Sequence, residues 1–538
     1  MWQNLFAFIT ILLSFQSVNI LKANLINANP TNYTNYLNTL VAGDTLFLSS
    51  GNYTNNLKLI GRNGTFTQPI VIIGSGMTTI FQAQSCCNTI SITHCSYLII
   101  KNLKLDGMHV EVDAVKAEGT AGNWAHHITI EYLNIVNYDG DQQNVGISTK
   151  CPAWDWIIRK NKIQDVGTGM YLGNSSGDRP FVNGIIEYNY IANTIGYNTE
   201  IKHQLNGVRD EFPGIAINGK TIIRHNVFTK NEKSSTGGSA RPNLLVGGFP
   251  STGWGSNDYY EIYGNFFYNN PVEALFQGTG NIMIYENIFI NHYDPASFRA
   301  IYITPHNNIS PQDIKIFHNT VWAANSSGGI RLYNANANYV QYCYANSVFA
   351  ASAITNFENS VDNITDSYAN AGNFLLSANQ NISLLNLYPK AGQLTGTITP
   401  NTLFKTNSNW DTDFNGDLYD WTYRGAYSGC CINNGWQLQL DTILSMEIIT
   451  SVHSLSNEIK IEIYPNPVID YLNINLKDFI SFEVYLYNIF GELLITKYSE
   501  SKNSKVNLSS LSDGFYFLQI RHNGQITTKK FLKRTKKN

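Results

Sequence analysis

The chain has 538 residues, enough for a large core and for more than one domain. Only 14% of residues are charged, while 41 glycines, 32 tyrosines and 27 phenylalanines exclude a disordered chain and favour strands joined by tight turns. A formal net charge of -3 gives no electrostatic reason to expect nucleic acid as a partner.

The first stretch, "MWQNLFAFITILLSFQSVNILKA", holds an apolar run from Leu5 to Leu13. It is too short to span a bilayer and suits the apolar region of a secretory signal, although the first basic residue is only Lys22. A signal peptide is expected over 1–23, with cleavage near Ser17 or Ala23; a buried N-terminal element is the alternative. No later segment approaches an 18-residue apolar run, so no transmembrane span is expected. The 7 cysteines include no CxxC pair and no zinc-like spacing, and the adjacent pairs Cys86-Cys87 and Cys430-Cys431 define no connectivity.

From residue 95 onward one short pattern recurs: two or three apolar residues, two mostly polar ones, an asparagine and another apolar residue. It is seen in "DWIIRKNKI", "GIIEYNYI", "TIIRHNVF", "NIMIYENIF" and "DIKIFHNTV". Alignment on the asparagine gives Asn102, Asn134, Asn161, Asn189, Asn226, Asn265, Asn287, Asn319 and Asn346, at intervals of 22 to 39 residues. A short minimum with variable excess is the signature of a solenoid coil with loops inserted at a corner. No long amphipathic helical pattern fills the intervals, which disfavours βαβ units. Each interval holds a second short strand, such as "GMYLGN", "TEIKHQ", "EALFQG", "RAIYIT" and "GIRLYN". The expected fold is all-β, a parallel β-helix with at least two strands per coil, right-handed by the crossover rule. Each asparagine is read as a structural turn residue whose amide bonds to the backbone and to its equivalent one coil away.

Alternation along the second strand predicts which side chains point outward. With Met170, Leu172, Ile201, Leu275, Ile301, Ile303, Ile330 and Leu332 inside, the outward set contains Tyr171, Glu200, Lys202, Phe276, Tyr302, Arg331 and Tyr333. That face suits an extended glycan; packing beneath long loops is the competing reading. The largest insertions, at 205–219 and 231–242, bring ionisable residues close to it, among them His203, Arg209, Arg224 and Arg241. Hydrolysis by converging aspartates ranks lower because the stack shows no such group, and no GxSxG elbow, P-loop or dinucleotide fingerprint is present.

The stretch "DTDFNGDLYDWTYRGAYSG" (411–429) places Asp411, Asp413, Asn415 and Asp417 around Gly416. Oxygen ligands at that spacing suit a calcium ion, while the same residues are ordinary turn formers and the glutamate of a full EF-hand loop is missing. The β-helix with its end caps is expected over 24–430, followed by a linker at 431–457.

The last segment, 458–538, changes in composition: 12 Lys/Arg against 8 Asp/Glu gives it +4, leaving -7 for the rest. It reads as short alternating strands separated by turns, as in a small antiparallel sandwich of immunoglobulin-like type. Within it, "IYPNPVIDYLNI", "VYLYNIFGELL", "LSDGFYFLQI" and "GQITTKKFLKR" resemble the C-terminal sorting domain of the type IX secretion system, at Tyr464, Pro465, Asn466, Pro467, Gly491, Gly514, Tyr516, Gly524 and Lys530. The resemblance implies export through a Gram-negative envelope to the cell surface or medium, with the secretion machinery as partner of this domain.

The opening "LVAGDTLFLSSGNYTNNLKLIGRNGTFTQPIVIIGS" and the repeated coils resemble secreted β-helix polysaccharide lyases, distantly the alginate lyase and chondroitinase B family. The resemblance implies Lys202 as the base beside a uronate carboxylate, Arg224 as the neutralising or protonating group, and Glu200 as a calcium ligand or orienting acid. His203 and Tyr171 are candidates for moving a proton. Arg209, Arg241, Tyr171, Phe276, Tyr302, Arg331 and Tyr333 are candidates for holding an anionic polysaccharide. The family's longer acidic-to-lysine segment is not reproduced. The expected function is therefore a secreted carbohydrate-active protein, with an acidic-polysaccharide lyase as its sharpest form. A non-catalytic surface glycan binder or adhesin is the alternative.

Overall fold

The computed structural model describes residues 23–443 apart from 121, 211, 213, 295–297, 325–327 and 398–402, and residues 461–535 apart from 477–481, 489–492, 500 and 523–524. The expected signal peptide, up to residue 22, and positions 444–457 of the expected linker lie outside the described residues. Two compact units divide at residue 444.

The first unit is a parallel β-helix of three faces per coil. One coil runs Ile157–Arg159, Lys162–Val166 and Thr168–Leu172; the next runs Ile185–Glu187, Tyr190–Ala192 and Thr199–Ile201. Each strand pairs in parallel with its equivalent one coil on. The sequence pattern implies at least two strands per coil, and the structure has three. The third arises because the asparagine motif is a corner and splits the repeat into two strands. The residue before each rung asparagine has positive φ: Lys160, Tyr188, His225, Gly264, Glu286, His318, Ala345 and Asp362 all lie between 52° and 62°. The left-handed conformation bends the chain out of one face and into the next.

The following asparagine satisfies that bend. The Oδ1 of Asn189 accepts from the backbone N–H (3.1 Å) and Nδ2 (2.9 Å) of Asn161, whose Nδ2 also donates to Ile130 O at 3.0 Å. The pattern continues through Asn226, Asn265, Asn287, Asn319 and Asn346 to Asn363. Two expected rungs fall away. Asn102 and Asn134 are one residue out of register on either side, and Leu103 and Leu133 occupy the rung position in those coils. Asn363 is a rung that the sequence alignment did not include.

Inward side chains stack as columns. On the first face Ile158, Ile186, Ile223, Ile262, Ile284 and Ile316 follow one another. On the second face Ile191 is followed by Phe228, Phe267 and Phe289, with ring centroids 4.8 and 4.4 Å apart. Such aromatic stacking contributes roughly 1 kcal/mol per pair beyond area burial. Tyr33 and Leu37 close the N-terminal end, Tyr33 lying 5.0 Å from the Tyr53 ring. Gly43, at φ +90, and Asp44 turn the chain into the strand Thr45–Leu48.

Outside the first face, charges alternate along one register line: Lys101, Glu131, Arg159, Glu187, Arg224. Lys101 Nζ lies 3.4 Å from Glu131, Arg159 Nε 2.7 Å from Glu131, and Arg224 Nη2 2.6 Å from Glu187. In the C-terminal half the outer surfaces of the first two faces are covered by the chain folding back. Phe404 stacks on Phe317 at 3.9 Å, continuing a column from Tyr263 and Tyr285. Leu387, Phe414, Tyr427 and Leu438 cover Phe266, Ile288 and Trp322. Residues 431–443, expected to begin the linker, therefore contribute Trp436, Leu438 and Ile443 to the solenoid's packing. Both adjacent cysteine pairs are bridged, Cys86 to Cys87 and Cys430 to Cys431, while Cys95, Cys151 and Cys343 are buried thiols.

The second unit is an antiparallel sandwich. Ile461–Tyr464, Tyr471–Leu476 and Asn503–Asn507 form one sheet. Leu493–Ser499, Phe482–Tyr487, Gly514–His522 and Gln525–Lys533 form the other. Leu472, Ile474, Val484, Leu486, Leu518 and Phe531 fill the core. Asn466 of the "YPNP" motif accepts from Leu532 N–H at 2.9 Å, joining the two ends of the unit. Among the described residues of the chain, no helix is long and apolar enough to cross a membrane.

A mid-ladder rung is expected to matter more than the terminal one. Asn265→Leu removes the acceptor of the Asn226 backbone N–H, one acceptor of its Nδ2 and the side-chain donor to the carbonyls of Ile223 and Tyr263, and should cost about 3 kcal/mol or more. Asn161→Leu, next to a coil that already carries Leu133, should cost roughly half as much. Urea unfolding of the two variants followed by circular dichroism checks the order, and equal losses would contradict a cooperative ladder.

Candidate functional site

The third face remains open where the other two are covered. Its strands include Val115–Ala117, Val145–Thr149, Thr168–Leu172, Thr199–Ile201, Leu244–Val246, Phe276–Gly278, Ile301–Ile303 and Ile330–Leu332. Parallel register places one outward residue per coil in line: Lys116, Ser148, Tyr171, Glu200, then Leu245, Gln277, Tyr302 and Arg331.

At the Tyr171–Glu200 level lies a cleft of about 410 Å³. Its floor and walls are Asp113, Lys116, Lys150, Tyr171, Tyr197 and Glu200, with Lys202 and Arg241 beside them. Gln142 and Gln143 line it from the loop after the 125–138 strand, anchored by Thr168 Oγ1 donating to Gln142 O at 2.9 Å. Four cationic side chains thus face two carboxylates. Both carboxylates are buried and bonded: Asp113 accepts from Val145 N–H and Ser148 Oγ at 3.0 Å each, and Glu200 holds Lys202 Nζ at 2.7 Å.

Lys150 differs from its neighbours. Its Nζ lies 3.3 Å from the centre of the Tyr171 ring, and no carboxylate among the described residues is within ion-pair distance. Burial pushes its ammonium down to about 8, with Asp113 opposing the shift and Lys116 adding to it. Lys202 approaches the same ring, 5.5 Å from its centre. Between the two lysines sits Gly173, at φ +86; a Cβ there would lie 3.1 Å from the Cβ of Lys202. Burial and the Glu200 charge push the Tyr171 phenol up to about 12, so it stays protonated. Burial pushes the Glu200 carboxyl upward against the pull of Lys202. Arg241 lies over Tyr197, 5.6 Å from ring centre to guanidinium carbon.

The structure therefore brings together Tyr171, Glu200, Lys202 and Arg241 of the expected set, and it adds Lys150, Lys116, Asp113 and Tyr197. Extending the second-strand pattern back to "DAVKAEG" and "VGISTK" would have placed Lys116 and Lys150 on this face.

Several expected residues are elsewhere. Arg224 is on the first face, bonded to Glu187 and to Tyr263 Oη at 2.9 Å, and is not part of the cleft. His203 is buried under the turn at Gly177 and points away from Lys202, as alternation requires. Arg209 is fully buried, with its guanidinium on Asp258, Gln204 and the carbonyls of Ala216 and Ile217, so it ties down the 205–219 loop instead of meeting a ligand. Phe276 points into the core, between Leu244 and Ile301; Gln277 takes the outward place. Tyr302, Arg331 and Tyr333 are outward as expected, but Tyr302 lies four rungs from Tyr171, about 19 Å at the usual strand spacing.

Of the expected calcium ligands, Glu200, Asp413 and Asn415 are engaged by groups of the protein itself. Glu200 is occupied by Lys202, and both oxygens of Asp413 accept backbone N–H groups, from Asn415, Asp417 and Ser428 at 2.9–3.1 Å. Asn415 donates through Nδ2 to Asn433. Among the described residues, no group of three or more Asp, Glu, His or Cys is placed to hold a metal ion.

Residues 462–534 match the family described as Secretion system C-terminal sorting domain, and this domain marks the chain for export. No curated protein sequence matches the chain. Solved structures similar to it include an alginate lyase from Paenibacillus sp. str. FPU-7, at 19% identity over 60% of this chain and 98% of that one, with a TM-score of 0.40. A variant of the PL6 family alginate lyase AlyGC is 14% identical over 83% of this chain and 61% of that one, with a TM-score of 0.45. The A-module of the Azotobacter vinelandii mannuronan C-5 epimerase AlgE6 is 13% identical over 61% and 90%, with a TM-score of 0.31.

The lowered proton affinity of Lys150 is directly measurable. Acylation of Lys150 by a small amine reagent, followed by mass spectrometry across pH, should reach half its maximal rate near pH 8, whereas exposed lysines should keep accelerating above that. A Lys150 profile indistinguishable from the exposed lysines would contradict the burial argument.

Proposed function

We propose that the exported chain acts on an anionic, uronate-containing polysaccharide and cleaves it by β-elimination in the third-face cleft. The observation that carries this reading is the pairing, over one tyrosine ring, of a fixed ammonium with an unpaired lysine whose proton affinity is lowered into the working range.

The reaction needs a base beside the carbon next to the carboxylate and positive charge where enolate character develops. Neutral Lys150 accepts the proton through Nζ. The electron pair left behind forms a carbon–carbon double bond, the glycosidic carbon–oxygen bond breaks, and the leaving oxygen takes a proton from the Tyr171 hydroxyl. Lys202, held by Glu200, and Arg241 face the substrate carboxylate and disperse its charge. The resemblance implied Lys202 as base, but its Nζ is committed to the buried Glu200 carboxylate at 2.7 Å, whereas the Lys150 Nζ has no such partner among the described residues. No step is routed through a metal cation.

A second reading is a non-catalytic glycan binder, favoured by the aromatic and cationic stretch at Tyr302, Arg331 and Tyr333, well away from the cleft.

Incubation with alginate, pectate and chondroitin sulfate separates the two. Elimination creates an unsaturated sugar that absorbs in the ultraviolet; a binder retains polymer without that signal. Lys150→Ala should lower the elimination rate by about 10²–10⁴-fold, and Lys202→Ala should chiefly raise KM. A silent Lys150→Ala with an inactive Lys202→Ala would return the base role to Lys202. Binding without product from any uronate polymer would sink the lyase and leave the binder.

A further inference from the structure

Lys230 follows the strand Val227–Thr229 and is 2% exposed, deep for a lysine. Its Nζ donates to the main-chain carbonyl of Arg241 at 2.9 Å. Burial pushes the ammonium down to about 7, with Glu273 opposing the shift and Arg241 adding to it. Lys230 and Arg241 bracket residues 231–240, the insertion that walls the cleft, so this one bond closes the loop across its base. Asn270, from the next coil, donates to the same carbonyl at 3.0 Å and to Asn243 Oδ1 at 2.9 Å. The Arg241 side chain is in turn tied to its own loop. Its Nη1 donates to Gly238 O at 2.9 Å and to Ala240 O at 2.7 Å, and the guanidinium carbon lies 5.6 Å from the centre of the Tyr197 ring. That geometry leaves Nε and Nη2 for a ligand in the cleft.

We propose that Lys230 is the positioning residue for Arg241: its buried amine holds the carbonyl at the base of the loop and thereby fixes the guanidinium where a substrate carboxylate meets it. The proposal rests on the polysaccharide reading above. A guanidinium matches a carboxylate through two parallel, directional N–H donors, so a backbone displaced by about an ångström spoils the fit. Satisfying the Arg241 carbonyl does not by itself require Lys230, because Asn270 already donates to it. Packing does not require it either, since an ammonium taken out of water costs free energy that an apolar chain of the same length does not. What Lys230 adds is a second bond, from the loop's other end. With both donors in place the base of the loop cannot pivot about the Asn270 amide.

Lys230→Met keeps the length of the side chain and removes the donor. The full chain, Lys230→Met, Arg241→Ala and the double variant are titrated with whichever of alginate, pectate and chondroitin sulfate the native chain binds most tightly, and elimination is followed by ultraviolet absorbance. Lys230→Met should weaken polymer affinity about three- to tenfold and raise KM by the same factor, with kcat within about twofold of the native value. Its thermal midpoint should stay level or rise, which the loss of a merely structural bond would not produce. In the Arg241→Ala background, Lys230→Met should change affinity no further. An unchanged affinity in the single variant, additive losses in the double one, or a fall in kcat at constant KM would overturn the positioning role. Where Lys230→Met fails to fold, Lys230→Gln serves in the same cycle with the same expected and opposing results. Binding without an unsaturated product ends the lyase reading, and the affinity cycle then decides on Lys230 alone. If the native chain binds none of the three polymers, both readings fail.

Discussion

A coil of this solenoid cannot turn a corner without burying backbone amides, and from Asn161 to Asn363 one carboxamide per coil answers that demand. The left-handed residue makes the bend; the asparagine after it donates to a carbonyl of the coil below and accepts from the asparagine of that same coil. A buried amide without a partner costs about as much as several methylene groups contribute, so the rung fixes where each coil starts. Parallel register follows, and with register the columns of isoleucine and phenylalanine that fill the interior. In the coils from Asn161 onward, the positions of the outward side chains follow from one recurring residue.

The same regularity explains why the candidate cleft lies on one face. Sheets buried on one side and covered on the other have no room for ligand, and the returning C-terminal segment covers the outer first and second faces in the later coils. Along its outward row, the third face leaves Lys116, Tyr171, Gln277, Tyr302 and Arg331 partly open between the insertions. Where glycine interrupts that row at Gly173, two lysines from non-adjacent coils meet over a single tyrosine. The scaffold sets the spacing of these groups, and the loops at 139–144 and 231–241 supply the walls.

The fold was legible in the sequence because its determinants repeat: a period, an asparagine and alternating apolar residues. The site was legible only in part because its determinants do not repeat. Glu200, Lys202 and Tyr171 could be placed from strand alternation. Lys150 escaped because its strand, "VGIST", lies before the first copy that shows the pattern clearly. Phe276 was misassigned where "ALFQG" carries two apolar residues in succession, of which only the register of the neighbouring coils decides the direction. Arg209 and Arg224 show the opposite error. A charge in a charge-poor chain suggests a ligand, yet the partners that neutralise these two are 49 and 37 residues away and invisible to local reading. For Arg224 a signal did exist: the variable position of the repeat reads Lys, Glu, Arg, Glu, Arg in order.

That alternation carries a rule about coil number. Along Lys101, Glu131, Arg159, Glu187 and Arg224, looping out any single internal coil brings two acids or two bases face to face, whereas removing two consecutive coils restores opposite neighbours. The outer charges thus act as a parity check on threading. Because the coils have similar apolar interiors, many stacking orders satisfy the core. Of those that omit a coil from this stretch, the charge line penalises odd skips and tolerates even ones. Insertions and deletions within this segment should accordingly be easiest to accommodate in pairs of coils.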